Sequence, residues 1–357
     1  MEGTRPTFWI RSKQAGKSFF TSYHPRNLKA KGWLGVVWRL LAVVLVVLLG
    51  LSFWWGREPG MFSVREAARV RAENNAQKLV PGYITAATLA RVAETLLDKP
   101  GGYLSNDMTL PGALMDNIPN WEFGVLVQVR DLAHALRNSM SRSQTQSMED
   151  PDLAEAEPRF QFRNDAWGLP SSEREYRAAI QHLKRYMERL TDTAQPGTQF
   201  FARSDNLRDW LAVVEKRLGG LSQRLSASVV QHRVNTDLAG EIAARQATQT
   251  ADDITVKTPW WEIDDAFYEA RGSTWALIHF LQAVEVDFAP VLQLRNALVS
   301  LRQIIRELEA TQHTLWSPAV LNGRGFGFVA NYSLIMTSYI SRANAAIIDL
   351  RTLLAGG

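Results

Sequence analysis

The densest mixture of polar and aromatic side chains in the chain runs from Trp260 to Asp287, WWEIDDAFYEARGSTWALIHFLQAVEVD. On an ideal helix Asp265, Glu269 and His279 fall within one sector about 120° wide. Acids that share a face with a histidine can bind a metal or transfer protons. The spacing matches neither E-x-x-H nor H-E-x-x-H, and about 21 Å of helix axis separates Asp265 from His279. The alternative is a helix that buries Trp275 and His279 and pairs its acids with arginines of neighbouring helices.

A hydrolytic site needs a second carboxylate near the first. Glu262 and Asp264 lie beside Asp265, and residues 103–120, a loop rich in Pro, Gly, Asn and Asp, supply Asp107 and Asp116. Glycosidases hold two carboxylates within about 10 Å of each other. The hypothesis of a periplasmic hydrolase or a lipid- or glycan-modifying enzyme therefore predicts a pocket that gathers at least two of these acids.

Two other groups are candidates for binding. Arg130, His134 and Arg137 are helical neighbours and form a cationic cluster that suits a phosphate or a carboxylate; ion pairs with acids of another helix are the alternative. Trp260 and Trp261 are adjacent, so both cannot face one core. Tryptophan is a common anchor at interfaces, and this pair is the first candidate for a binding surface.

Other patterns point away from cofactors and nucleic acid. The glycine loop Asn322–Gly327 fails the dinucleotide fingerprint because Phe328 stands at the third glycine position, and we interpret it as a turn between helices. The chain contains no cysteine, which excludes disulfides and thiolate metal sites. We predict no metal and no cofactor. The net charge of +4 is small for 357 residues, which argues against a nucleic-acid-binding domain.

The elements that position these groups begin with an apolar run, Trp33–Trp55, which as a helix spans about 35 Å, enough to cross a bilayer. The preceding arm, residues 1–32, holds seven basic residues against one acid. The positive-inside rule therefore predicts a cytoplasmic arm and a periplasmic C-terminal part. Arg39 lies close enough to the cytoplasmic face to snorkel. The interfacial belts are Trp33 and Trp38 on one side and Trp54 and Trp55 on the other. A cleaved signal peptide is the alternative, but the arm and the apolar run are long for one.

Beyond the span, residues 56–357 favour a large helical bundle with long irregular loops. The patterns predict helices over Ser63–Asn75, Thr85–Asp98, Trp121–Asn138 capped by Asn120, Ser172–Leu190 with a capping box to Glu175, Asp205–Val234 interrupted at Gly219-Gly220, Pro259–Gln312 bent near Pro290, and Val329–Leu354. Asp237–Asp253 is ambiguous. Residues 139–170 lack a sustained period, which favours a mobile loop or a linker that subdivides the domain.

Several long passages resemble one family, the bacterial domain of unknown function 2333. They include LSNDMTLPGALMDNIPNWEFGVLVQVRDLAHALRN, SRSQTQSMEDPDLAEAEPRF, WEIDDAFYEARGSTWALIHFLQAVEVDF and YISRANAAIIDLRTLL. The resemblance covers nearly the whole chain after the span. It implies a single-span envelope protein of Gram-negative bacteria and carries over no catalytic residue.

We therefore predict an inner-membrane protein with a periplasmic helical domain, which acts as a non-enzymatic adaptor or assembly factor. Its expected partners are inner-membrane lipids and an envelope protein, and no nucleic acid. The periplasmic enzyme remains the alternative, as does a cytoplasmic domain that violates the positive-inside rule.

Overall fold

The computed structural model describes residues 32–142, 148–192, 197–229, 231–234, 253–314, 320 and 332–356. Its contacts separate two units, Met1–Trp54 and Trp55–Gly357. In the first unit, helix α1 (Gly32–Trp55) is apolar along its length. Residues Gly35–Trp55 have a mean hydropathy of 2.6 and none is buried, so this helix is long and apolar enough to cross a membrane.

The second unit is mainly helical over its described residues, which confirms the predicted fold class. Its helices are α2 (Val64–Asn74), α3 (Tyr83–Asp98), α4 (Asn117–Ala135, followed by a π-turn over Leu136–Met140), α5 (Pro151–Phe160), α6 (Ser172–Thr191), α7 (Ser204–Ser226), α8 (Ile263–Asp287), α9 (Ala289–Leu294), α10 (Leu298–Glu309) and α11 (Tyr332–Ala355). A short antiparallel hairpin, β1 (Gln231–Val234) and β2 (Asp253–Val256), precedes α8.

Helix α8 forms the centre of the bundle, because every residue from Phe267 to Leu281 is buried. Helix α4 runs parallel to it. The Asn120 amide donates to Asp265 at 2.7 Å, and eight residues further along both helices the Gln128 amide donates to Ser273 at 2.8 Å. Helices α4 and α8 therefore begin at the same end of the bundle.

Two glycines allow α4 and α8 to touch backbone to backbone. A methyl group on Gly272 would lie 1.9 Å from the carbonyl oxygen of Trp121, and one on Gly124 would lie 2.0 Å from the carbonyl oxygen of Glu269. Neither contact is compatible with a Cβ atom. The two helices are therefore held together by shape as well as by the polar pairs along them.

We expect Gly272→Ala to destabilise the domain by about 3 kcal/mol, the upper range for overpacking a tight interior, because helix α4 must move away from α8. Gly220→Ala is the matched control. It lies inside α7 with nothing within 4 Å of the added methyl, and it should stabilise the fold by up to about 1 kcal/mol through helix propensity. Urea unfolding of both variants measures the difference. Equal stabilities would contradict the close helix contact.

The other helices pack around this pair in alternating directions. Helix α3 runs antiparallel to α8, since Thr85 near its start contacts Asp287 at the end of α8. Helix α7 runs antiparallel to α4 and α8, with Arg217 paired to Asp131 and Arg224 paired to Glu269. As a result, the connection from α3 to α4 lies at the end where α4 and α8 begin.

Three segments meet at that end, and we call residues 99–116, 161–171 and 257–262 together the loop end. The first two are joined directly, because the Asn106 amide donates to the Ala166 carbonyl at 2.7 Å and the Tyr103 hydroxyl donates to the Asn164 carbonyl at 3.0 Å. The third leads into α8, beside the start of α4.

Several predicted boundaries are wrong. Helix α4 begins at Asn117 with Asp116 as its cap, not after Asn120, because Pro119 sits in the first turn, where no amide hydrogen bond is lost. Residues 139–170 are not one loop, since they contain α5, whose start is capped by Asp150. A 3.6-residue period does hold there, over the buried side chains of Leu153, Ala156 and Phe160.

The remaining corrections concern three helices. The cap of α6 is Ser171, while the Ser172 hydroxyl donates to the Arg163 carbonyl instead. Helix α7 continues through Gly219-Gly220 and ends at Ser226. The predicted helix over 259–312 is three helices, because the chain breaks at Phe288 and again near Asn296, whose φ is 51°. Pro290 lies in the first turn of α9. The glycine loop Asn322–Gly327 and most of Asp237–Asp253 lie outside the described residues.

Candidate functional site

His279 is fully buried and both of its ring nitrogens are engaged. Nδ1 lies 2.7 Å from the Trp275 carbonyl oxygen, and Nε2 accepts the Phe62 amide hydrogen at 3.2 Å. The Phe62 ring stacks on the imidazole with 3.9 Å between ring centroids. This pattern requires a neutral ring, and burial lowers the pKa of His279 to about 4. The histidine therefore ties the segment after α1 to the central helix.

Glu269 and Asp265 contact two other helices. The Arg224 guanidinium of α7 donates two parallel hydrogen bonds to Glu269, at 2.5 and 2.6 Å. Asp265 accepts from Asn120 of α4 at 2.7 Å. The three catalytic candidates thus lie on the side of α8 that meets other elements, but each binds a different element.

Asp264 and Asp265 lie near Asp116 at the start of α4. Burial and the neighbouring carboxylates, including Glu262, raise the pKa of Asp265, and burial and Asp116 raise the pKa of Asp264. Two members of the predicted enzyme site are thereby close to a loop acid. Within the described ranges, no group of three or more His, Asp or Glu side chains is arranged to hold a metal ion.

We expect Asp265→Asn to raise the melting temperature at neutral pH. An acid whose folded-state pKa is raised destabilises the fold once the pH exceeds that pKa, and the cost is absent below its unfolded-state value. The asparagine keeps an oxygen for Asn120 and removes the repulsion. The gain should shrink as the pH falls toward 3.8, the ordinary pKa of aspartate. Thermal melts across this pH range measure it, and a variant less stable than the wild type at every pH would contradict the repulsion.

The cationic cluster, with Arg130 and His134 on α4 and Arg137 in the π-turn after it, is paired with α5 and the chain around it. Arg130 donates to the carbonyl oxygens of Phe160 and Phe162. Arg137 donates to Glu157 at 2.8 Å and also to Glu149, and His134 lies 3.3 Å from Glu157. The geometry is that of the alternative stated above, in which these cations form ion pairs and hydrogen bonds with a neighbouring helix.

The remaining candidates lie at the loop end. Asp107 accepts from the amide and hydroxyl of Thr109 at 2.8 Å, and it lines an open recess of about 530 Å³ together with Met108, Trp167 and Arg177. Trp260 and Trp261 are 76% and 61% exposed and make an edge-to-face pair. Their role in binding stays a prediction. The membrane candidates Trp33, Trp38, Arg39, Trp54 and Trp55 all belong to α1.

Two further ion pairs, one largely and one fully buried, involve residues that the sequence did not single out. Arg271 of α8 donates three hydrogen bonds to Glu58, three residues after α1, at 2.6, 2.8 and 3.0 Å. Lys99 and Glu122 pair with both side chains fully buried. A signal for the first exists, because an arginine in the middle of a helix that buries Trp275 and His279 requires an acidic partner. The Lys99–Glu122 pair has no such signal, because a lysine directly after a helix is typical of an ordinary helix end.

Four buried polar side chains of α8 each bond a different neighbouring element. The buried polar side chains of α8 contact different partners: Arg271 binds the segment after α1, Glu269 binds α7, Ser273 binds α4 and Asp287 accepts from Thr85 at the start of α3. Since a buried polar group must find its partner or lose about 1–3 kcal/mol, each contact fixes the position of one neighbour.

Comparison with known proteins gives one family. The family model described as "Uncharacterized protein conserved in bacteria (DUF2333)" matches residues 28–357. Searches of curated proteins and of solved structures found no match.

Proposed function

Because the match covers nearly the whole chain, this protein belongs to the DUF2333 family of bacterial proteins, and we propose that it is a membrane-anchored adaptor or assembly factor of the bacterial cell envelope. Helix α1 is the anchor in the inner membrane. The basic arm stays in the cytoplasm, and residues 56–357 form a periplasmic domain. The length and hydropathy of α1 and the charge difference across it support this topology.

The observation that carries the non-enzymatic role is the use of the reactive side chains on α8. His279 has both nitrogens bonded to backbone groups, and Glu269 is held by the arginine fork of Arg224. A general acid or base must reach a substrate proton, and these groups reach only other parts of the domain. The polar groups of α8 hold the bundle in one arrangement. The function is therefore assigned to the surface of the bundle, as a binding surface for a partner.

A second candidate function, a periplasmic hydrolase, rests on one observation. The raised pKa values of Asp264 and Asp265 beside Asp116 are a feature that active sites share with crowded structural acids. Under this hypothesis Asp264→Asn would abolish turnover of an envelope substrate without loss of stability. Under the adaptor hypothesis the same variant changes stability alone.

The test of the adaptor role is in-cell crosslinking of the tagged full-length protein, followed by detergent solubilisation and mass spectrometry. The adaptor role predicts one envelope protein recovered in stoichiometric amount. Gly272→Ala serves as the control, because a partner that recognises the folded bundle should be lost when α4 and α8 are forced apart. Recovery of the protein alone, or only with copies of itself, would contradict the role.

A further inference from the structure

The tryptophans after α1 fall into two sharply different classes. Among those the structure describes, Trp121, Trp210 and Trp275 are buried to 2% exposure or less, whereas Trp167, Trp260 and Trp261 are 69%, 76% and 61% exposed. Tryptophan is the largest apolar side chain, and a soluble surface seldom leaves three of them in water. The exposed class therefore needs an explanation other than core packing.

All three exposed tryptophans belong to the loop end. Trp167 shares a recess with Met108, and the backbone beside it is held by Asn106. Trp260 and Trp261 immediately precede α8, whose first turn carries Asp264 and Asp265 beside Asp116. Further large apolar side chains are exposed in the same segments, with Met108 at 66%, Leu110 at 56%, Leu114 at 79% and Leu169 at 96%.

The loop end also contacts the first residue of the second unit. Trp55, the last residue of α1 and the first of the second compact unit, packs its ring over Gly101 in the loop end. Glu58, which the chain can carry no more than about 10 Å beyond Trp55, is bound by Arg271 two turns into α8. Two contacts within the second unit thus hold its first residues, which follow directly on the helix that the proposed function assigns to the membrane, at the loop end and at the nearby part of α8.

The charges at this end restrict the kind of surface it can meet. Its exposed acids are Asp116, Asp165 and Glu262, with Asp264 and Asp265 beside them. Its exposed bases are fewer: Arg163 is paired with Asp165 at 2.6 Å, Lys257 is exposed, and Lys99 is buried in its pair with Glu122. A polyanionic surface would be repelled. A zwitterionic headgroup layer accepts indole rings through their amphipathic character without needing a basic patch.

We propose that the loop end rests on the periplasmic face of the membrane, with Trp167, Trp260, Trp261 and the apolar side chains around them inserted among zwitterionic lipid headgroups. This inference rests on the proposed function, since it requires α1 to span the bilayer. The inference adds that the domain contacts the membrane through its loop end, and that the central helix α8 runs from this end away from the lipid. The far end, about 37 Å along α8, and the sides remain open to a protein partner.

The absence of cysteine from the chain makes a site-specific test simple. Single cysteines replace Leu114 and Leu169 at the loop end, and Leu294, the last residue of α9 and 80% exposed, serves as the matched control. Each full-length variant is labelled with a small fluorophore and reconstituted into phosphatidylcholine vesicles. A fraction of the lipid carries a spin label near the headgroup as a quencher. Quencher in both leaflets makes the direction of insertion irrelevant.

We expect loss of fluorescence for the labels at positions 114 and 169 and unchanged fluorescence at position 294. Flotation of the vesicles first shows that each variant is anchored. Anchored protein whose loop-end labels stay unquenched would overturn the inference and leave the anchor intact, and it would assign the exposed tryptophans to a protein partner. Equal quenching at all three positions would contradict the proposal that the loop end, and not the end of the domain that holds Leu294, contacts the membrane. Protein that does not float would overturn the proposed anchor, and this inference with it.

Discussion

Glu122→Gln should destabilise the helical domain by about 3–5 kcal/mol, the cost of leaving one charge of a buried pair without its partner. Both side chains of the Lys99–Glu122 pair are fully buried. Glu122 also accepts from the amides of Leu104 and Ser105, at 2.8 and 2.7 Å, so the loss reaches the loop end as well as α4. Lys99→Met should cost a similar amount, because it leaves the carboxylate as the unpaired charge.

A double-mutant cycle separates the pair from its surroundings. Lys99→Met combined with Glu122→Gln should cost clearly less than the sum of the two single changes, because no buried charge remains. Asp98→Asn is the control, since it breaks a pair with Arg177 in which both side chains are 56% exposed. That change should cost less than about 1 kcal/mol. Urea unfolding of the full-length protein in mild detergent measures all four, and additive single effects would contradict the coupling.

Replacement of His279 should also have a large effect, and on stability. His279→Phe keeps the ring against Phe62 but leaves the Phe62 amide without an acceptor, at a cost of about 1–3 kcal/mol. His279→Ala also removes the buried ring, and we expect about 3–5 kcal/mol, the range for truncating a buried aromatic side chain. The order of unfolding free energies should therefore be wild type, then the phenylalanine variant, then the alanine variant.

The pH dependence identifies the histidine as the cause. Its folded-state pKa of about 4 lies below the ordinary 6.5, so its stabilising contribution is full above 6.5 and is lost as the pH falls through about 4. The difference between these two pKa values corresponds to about 3 kcal/mol of stability. His279→Phe should lack this part of the acid destabilisation. Since the raised pKa values of Asp264 and Asp265 act with the opposite sign, the comparison is made between variant and wild type across the same pH range. Parallel curves would contradict the buried neutral histidine.

The sequence predicts much of the fold, for reasons that particular elements show. The apolar run of α1 and the serine that caps α2, Ser63, have local causes, so these positions follow from neighbouring residues. The start of α6 follows in the same way, although its cap is Ser171 rather than Ser172. Asp150 and Pro151 are local signals of the same kind at the start of α5. The polar stretch from Ser139 to Glu149 makes the whole region look aperiodic, although Leu153, Ala156 and Phe160 repeat with the helical period of 3.6 residues. The break near Asn296 depends on how α10 folds back, which no local signal gives.

The candidate site shows where prediction from sequence ends. Helical spacing places Asp265, Glu269 and His279 on one face, and in the structure each of them meets another element. Spacing alone cannot tell that Arg224 and Phe62 stand opposite Glu269 and His279, because these partners are 45 and 217 residues away. A helix that fixes the position of its neighbours and a helix that carries a catalytic site use the same residue types. What distinguishes them is whether the side chains reach each other or reach separate elements.

Topology is the premise on which the account depends, and reporter fusions to the full-length chain test it most directly. Alkaline phosphatase joined after Gly357, which is active only outside the cytoplasm, should be active, and a cytoplasm-specific reporter at the same position should be silent. A second pair of fusions at Gly56, directly after α1, should behave alike. Activity of the cytoplasmic reporter alone at both positions would contradict the periplasmic domain, and the adaptor role in the envelope with it.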